Sequence, residues 1–189
     1  VGGTFVLADF DALSLSNMNR VRAGVHDIGV NKAVLTARAL YEIDPYLSIT
    51  VFADGVSDAN VDDFLAGGGP ADVLLEECDD LHLKLRIRER ARALRIPVLM
   101  ETSDRGMLDV ERFDLDPGRP LLHGRVDGVD VDTLRQLSRE DRVAVAMRIV
   151  GADTLSTRAA ASALEVGSTL VSWPQLASAI SLGAALNTD

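Results

Sequence analysis

Four short apolar runs, spaced by stretches with helical patterning, constrain this chain more than any other feature. Thr4–Phe10, the alternating Leu47, Ile49 and Val51, then Val73-Leu74-Leu75 and Pro97–Met100 have the length and side chains of buried strands. From Asn31 to about Ile43, Val34, Ala37 and Leu40 or Tyr41 recur at three-to-four spacing, and Asp44-Pro45 ends the pattern. Ser57 to Leu65 reads as a short helix closed by Gly67-Gly68-Gly69-Pro70. Leu83, Ile87, Ala91 and Leu94 stripe a helix from about Leu81 to Leu94. Strand and helix in alternation imply parallel pairing with right-handed crossovers. The expected fold class is therefore α/β: a Rossmann-like, mostly parallel sheet with helices on both faces.

Beyond Asp104 the pattern changes. Met107 to Leu115 reads as an edge strand, and Asp116-Pro117-Gly118-Arg119-Pro120 as a turn or crossover loop. Helices are expected over Asp132–Leu137, Ser138–Val150, Ser156 to about Leu164, and Pro174 to about Leu186, with Trp173 anchoring the last. Ser138-x-x-Asp141 has the form of an N-terminal cap. The expected division is a core over 1–125 and a helical region over 126–189 that packs on the core or on a partner.

Composition narrows the function. With 19 Lys and Arg against 29 Asp and Glu, the net charge is −10. A chain this acidic lacks the basic face that a phosphate-backbone binder needs, so no nucleic-acid partner is expected. The basic run Lys84–Arg90 reads as a solvated helix face. Cys78 is the only cysteine, which excludes an internal disulfide and a thiolate zinc cage, and fits a cytoplasmic location. No apolar run is long enough to span a bilayer, so no membrane partner is expected. The opening VGGTFVLADF has neither an initiator Met nor a secretory pattern, and suggests a piece of something longer.

In open α/β sheets ligands bind beyond the carboxyl ends of the strands. Here those ends are Asp9-Phe10-Asp11, Glu76 to Asp80, and Glu101-Thr102-Ser103. Together with Ser16-Asn17-Met18-Asn19-Arg20, Gly29 and Lys32 they suit a nucleotide. An acid at a strand tip accepts ribose hydroxyls. Arg20, as a fork, and Lys32, as a point charge, neutralise a triphosphate. Asn17 bridges to a phosphate oxygen or water, and Asp79 holds Mg²⁺, which takes one or two carboxylates plus phosphate oxygens. Such a site stabilises charge while a carboxylate attacks the α-phosphate. His26, His82 and His123 share no metal-ligand spacing, and of the three only His123 lies in the crossover region.

The stretch from Gly2 to about Met100 resembles the ThiF/MoeB adenylyltransferases, whose fold ubiquitin-activating enzymes share. The matching pieces are Asp9/Asp11, Ser16-Asn17…Arg20, Gly29…Lys32, Asp44-Pro45 and Asp79-Asp80. The resemblance implies ATP- and Mg²⁺-dependent adenylation of the C-terminal carboxylate of a ubiquitin-like sulfur-carrier protein, as in molybdopterin biosynthesis, by a homodimer. It implies that Asp9 takes the ribose, that Asp11 belongs to the same nucleotide site, that Asn17, Arg20 and Lys32 meet the phosphates, and that Asp79 meets the metal. Arg20, Lys32 and Asp79 would carry the catalysis.

The family's Gly-rich loop and the strand before it lie upstream of the Asp9 strand. The sheet is therefore expected to lack its first strand, Gly2-Gly3 to be only a turn, and the fragment alone to be inactive. Val21 stands where the family has Gln, Asp80 where it has Asn, and Lys84 where it has Arg, and no Cys-x-x-Cys pair is present for zinc. Met100 to Arg125 is similar to long proteins that join such a region to a nitroreductase-like one. The rival reading is a non-catalytic dimerisation or interaction module of a larger protein. A dinucleotide oxidoreductase fits less well, since no G-x-G-x-x-G occurs.

Overall fold

The computed structural model describes residues 3–102, 104, 107–151, 155–166, 168–170 and 174–187. Gly2, Ser103 and Trp173 lie outside them. The chain forms two compact units, Val1–Gly67 and Gly68–Asp189.

In the first unit, β1 (Thr4–Ala8) pairs in parallel with β2 (Ser48–Phe52), Thr4 opposite Ser48 and Ala8 opposite Phe52. The crossover helix α1 (Lys32–Ile43) packs on both strands and buries Ala33 and Ala37. Tyr41, one edge of the expected apolar stripe, stays exposed. Helix α2 (Val61–Ala66) is shorter than the sequence suggests. The Asn60 side chain accepts the Ser57 N–H at 2.6 Å, and Asn60 itself is non-helical, so Ser57–Asn60 is a turn and the helix begins after it. Phe64 of α2 meets Phe52 of β2 edge to face, with centroids 5.5 Å apart.

In the second unit, β3 (Leu74–Leu75) pairs in parallel with β4 (Val98–Glu101), and β5 (Leu108–Glu111) pairs antiparallel to β4. The edge strand is thus where the sequence places it. Helix α3 (Leu81–Ala93) crosses from β3 to β4 and buries Leu85, Ile87 and Ala91. The 3-10 turn Val131–Gln136 packs on α3. Helices α4 (Arg139–Val150), α5 (Thr157–Glu165) and α6 (Ala177–Asn187) follow. Ser138 Oγ accepts the Asp141 N–H at 3.1 Å, the cap legible in the sequence.

Each unit thus carries one parallel strand pair, β1–β2 in the first and β3–β4 in the second.

Helix α6 packs on β4 and β5. A Cβ on Gly183 would clash with the Glu101 side chain, so glycine is what lets the helix pack beside that side chain. Gly183→Ala is expected to lose about 1–2 kcal/mol despite its better helix propensity, because overpacking outweighs that gain. Thermal unfolding, with amide exchange along α6, checks this.

Candidate functional site

At the tip of β1, residues 9–13 are zipped to residues 29–32. The Leu13 N–H donates to Val30 O at 2.8 Å, Gly29 N–H to Leu13 O at 2.9 Å, and Lys32 N–H to Asp11 O at 2.9 Å. Gly29 sits at φ +91°, a conformation other residues resist. Asp11 N–H donates to Asp9 Oδ1 at 2.8 Å, which folds the two acids together. Lys32 opens α1 and reaches back over both: Nζ lies 2.7 Å from Asp11 Oδ2 and 3.9 Å from Asp9 Oδ2.

All three side chains remain partly exposed, so this ion pair is worth under about 1 kcal/mol. Lys32 can therefore exchange Asp11 for a stronger anion at little cost. Asn17 and Arg20 bond instead within their own segment. Asn17 is buried, and its Oδ1 accepts Ser14 N–H at 2.9 Å and Ser14 Oγ–H at 3.0 Å. Arg20 donates to Ser16 O at 3.1 Å and Asn19 Oδ1 at 2.9 Å.

The second unit presents the tip of β3. Glu76, the first residue past the strand, turns inward and is buried. It takes Cys78 N–H at 2.7 Å, Lys84 Nζ at 2.9 and 2.8 Å on its two oxygens, and the Arg88 guanidinium. Arg88 Nε donates to Glu111 Oε2 at 2.7 Å, and Glu111 Oε1 accepts Leu122 N–H at 2.6 Å.

Lys84 and Arg88 are therefore core residues, which corrects the expectation of a solvated basic face: Glu76 and Glu111 neutralise them inside the unit. Burial pushes the Glu76 carboxyl up, but Lys84 and Arg88 overcome it and hold it below the usual carboxylate range. Burial wins at Glu111, whose carboxyl is raised despite Arg88 and Leu122 N–H. Cys78 is half-buried, and burial together with Glu76 pushes its thiol up, the reverse of an activated nucleophile.

This network anchors the loop that carries the exposed acids. Asp80 caps α3, its Oδ1 accepting Leu83 N–H at 2.8 Å, so the residue standing where the family has Asn is used by the helix. Asp79 is exposed, with no hydrogen-bond or ion-pair partner among the described residues. Behind the loop lies a cleft of ≈ 420 Å³, bounded by Glu77, Asp79, Met100, Arg139, Val143 and Met147.

The Glu77 carboxyl reaches under β4, where Oε1 accepts Glu101 N–H at 2.9 Å, and burial raises its pKa from 4.5 to about 7. A carboxyl raised on folding contributes stability that is full below its unfolded value and lost as pH rises through 7. Glu77→Gln is thus expected to flatten the stability decline between pH 5 and pH 8. The effect is on the order of 1 kcal/mol, reduced from the full linkage value because the side chain is partly solvated. Urea titrations at the two pH values check it.

A family model for the ThiF family matches residues 2–153. The chain belongs to the ThiF family. A relative from Mycobacterium tuberculosis (strain CDC 1551 / Oshkosh), the uncharacterized protein MT1398, is 50% identical over 183 residues, 97% of this chain. The chain spans about a quarter of that relative's length, which is covered to 25%. The crystal structure of PaaA matches 99% of this chain and 54% of its own, with a TM-score of 0.63 at 19% identity. That of E. coli MccB with succinimide matches 96% of this chain and 45% of its own, with a TM-score of 0.56 at 16% identity. These likenesses establish the ThiF-like α/β fold.

Of the residues picked from the sequence, Asp9, Asp11 and Lys32 meet in the first unit, Asn17 and Arg20 serve their own turn, and Asp79 stands on the loop of the second. Sequence reasoning placed Glu76 among the strand-tip acids without its burial in the core, and missed Glu111 and Asn31. The signal for Glu76 and Glu111 was acids adjoining apolar strand residues, Leu75-Glu76 and Val110-Glu111. In such a context a carboxylate needs a buried cation.

Proposed function

We propose that this ThiF-family chain contributes to an ATP-dependent adenylation site of a larger protein. The observation that carries the reading is Lys32, seated between Asp9 and Asp11 at a strand tip by a weak, exchangeable ion pair. In this reading Asp9 accepts the ribose hydroxyls. Lys32 leaves Asp11 for the phosphates, and Arg20 joins it from the following turn.

Asp79 fits a magnesium ligand because it is an exposed carboxylate with no hydrogen-bond or ion-pair partner among the described residues. Magnesium bound there would supply charge for the β- and γ-phosphates. An oxygen of the acceptor's terminal carboxylate attacks the α-phosphorus. The bond from that phosphorus to the bridging oxygen breaks, and pyrophosphate leaves with the electron pair. An acyl adenylate remains. A ubiquitin-like sulfur carrier is the acceptor this reading favours. The raised Cys78 thiol argues against a thioester relay through this chain.

Pyrophosphate–ATP exchange by the whole protein, with a candidate carrier present, tests the reading. Exchange abolished by Asp79→Ala and Arg20→Ala supports it. No exchange, with no Mg-ATP binding by calorimetry, contradicts it and leaves the fold as an interaction module.

A further inference from the structure

Asn31 uses every hydrogen-bonding group of its amide. Nδ2 donates to Asp9 O at 2.7 Å and to Ala53 O at 3.0 Å, and Oδ1 accepts Val34 N–H at 3.1 Å. Asp9 and Ala53 each lie 22 residues from Asn31, on either side in sequence. They are also the residues that follow the last β1–β2 pair, Ala8 opposite Phe52. One side chain therefore clasps the tips of both strands while capping the helix whose first residue is Lys32.

Capping alone does not require this residue. An N-cap needs one acceptor oxygen, and Ser or Asp provides it as well as Asn does. Among these caps only Asn adds two N–H donors, and both are aimed at strand-tip carbonyls rather than at the helix. The bonds run to the backbone of Asp9, next to the pair that Lys32 bridges, so they set the distance from the β1 tip to the first turn of α1.

We propose that Asn31 is a positioning residue that fixes Asp9 and Lys32 at the separation needed to hold the ribose and phosphates of a single nucleotide. The proposal rests on the nucleotide reading above, and geometry is where its effect falls: small displacements of positioning groups carry large losses in binding and rate.

The test is Asn31→Ser in the whole protein, which keeps the cap oxygen and removes both donors. Three readouts separate the roles: the melting temperature, amide exchange at Val34 and Lys32, and the Mg-ATP affinity by calorimetry. The expected result is an unchanged melting temperature and a protected Val34 amide. The Lys32 amide, bonded to Asp11 O, exchanges at least tenfold faster, and Mg-ATP binds at least tenfold more weakly. Should Asn31→Ser fail to fold, Asn31→Thr replaces it, keeping a cap oxygen without adding charge beside Asp9, with the same expectations. Wild-type affinity and unchanged Lys32 exchange in the variant overturn the positioning role. A wild-type protein that binds no Mg-ATP overturns the nucleotide reading instead, and unchanged Lys32 exchange then removes the clasp as well.

Discussion

Arg88→Met is expected to destabilise the second unit by about 3–5 kcal/mol, the usual cost of removing one partner from a buried ion pair. The guanidinium has no solvent exposure, joins two buried carboxylates, and sits one helical turn beyond Lys84. Met fills comparable space but leaves Glu111 without a cation, while Glu76 keeps Lys84. Glu111 would then protonate more readily, since its carboxyl is already raised by burial. The penalty should accordingly be smaller at pH 5 than at pH 8, because the raised carboxyl favours the folded state at low pH and the gain is lost as pH rises. A loss this large is a substantial share of a domain's total stability. Replacing the whole network by well-packed apolar residues should recover most of it. Urea unfolding followed by circular dichroism at both pH values provides the numbers. A loss under 1 kcal/mol would mean that the network is solvated.

Lys32→Ala should lower pyrophosphate exchange in the whole protein by roughly 10²–10³-fold, the scale of losing one charge-stabilising group from a reacting centre. The melting temperature should barely move, because its pair with Asp11 is exposed and contributes under about 1 kcal/mol. That split, a large kinetic loss with no stability loss, is what distinguishes a functional lysine from a structural one. Lys32→Arg should restore only part of the rate, since a planar fork does not occupy the place of a compact ammonium. Loss of stability in proportion to loss of exchange would assign Lys32 to the fold.

Local signals in the chain carried the elements. Three-to-four spacing marked α1 and α3. Pro45 followed the end of α1, and Ser138 capped α4, because these choices are settled within one or two turns. Asn60 shows the limit: its side chain closes a turn where periodicity alone continues a helix. The burial of Lys84 and Arg88 was not legible, since it depends on Glu76 and Glu111, and Glu111 follows Arg88 by 23 residues. An alternating run of basic and apolar residues looks the same whether its charges face water or a buried acid. Asp9, Asp11 and Lys32 were legible as a group because their family spacing is preserved. Asn31 was not, because it reads as the ordinary first residue of a helix until the strand tips on either side of it are in place.

Asp9 and Lys32 are proposed to hold the ribose and phosphates of one nucleotide at the tip of β1. Paramagnetic broadening by manganese-substituted ATP in the whole protein is the sharpest check of that assignment. The amide signals of Asp9, Asp11 and Lys32 should broaden together and saturate at one equivalent, and unlabelled Mg-ATP should reverse the effect. Signals of these three residues that stay sharp, or broadening spread over the acidic surface without saturation, would show that the cluster holds no nucleotide.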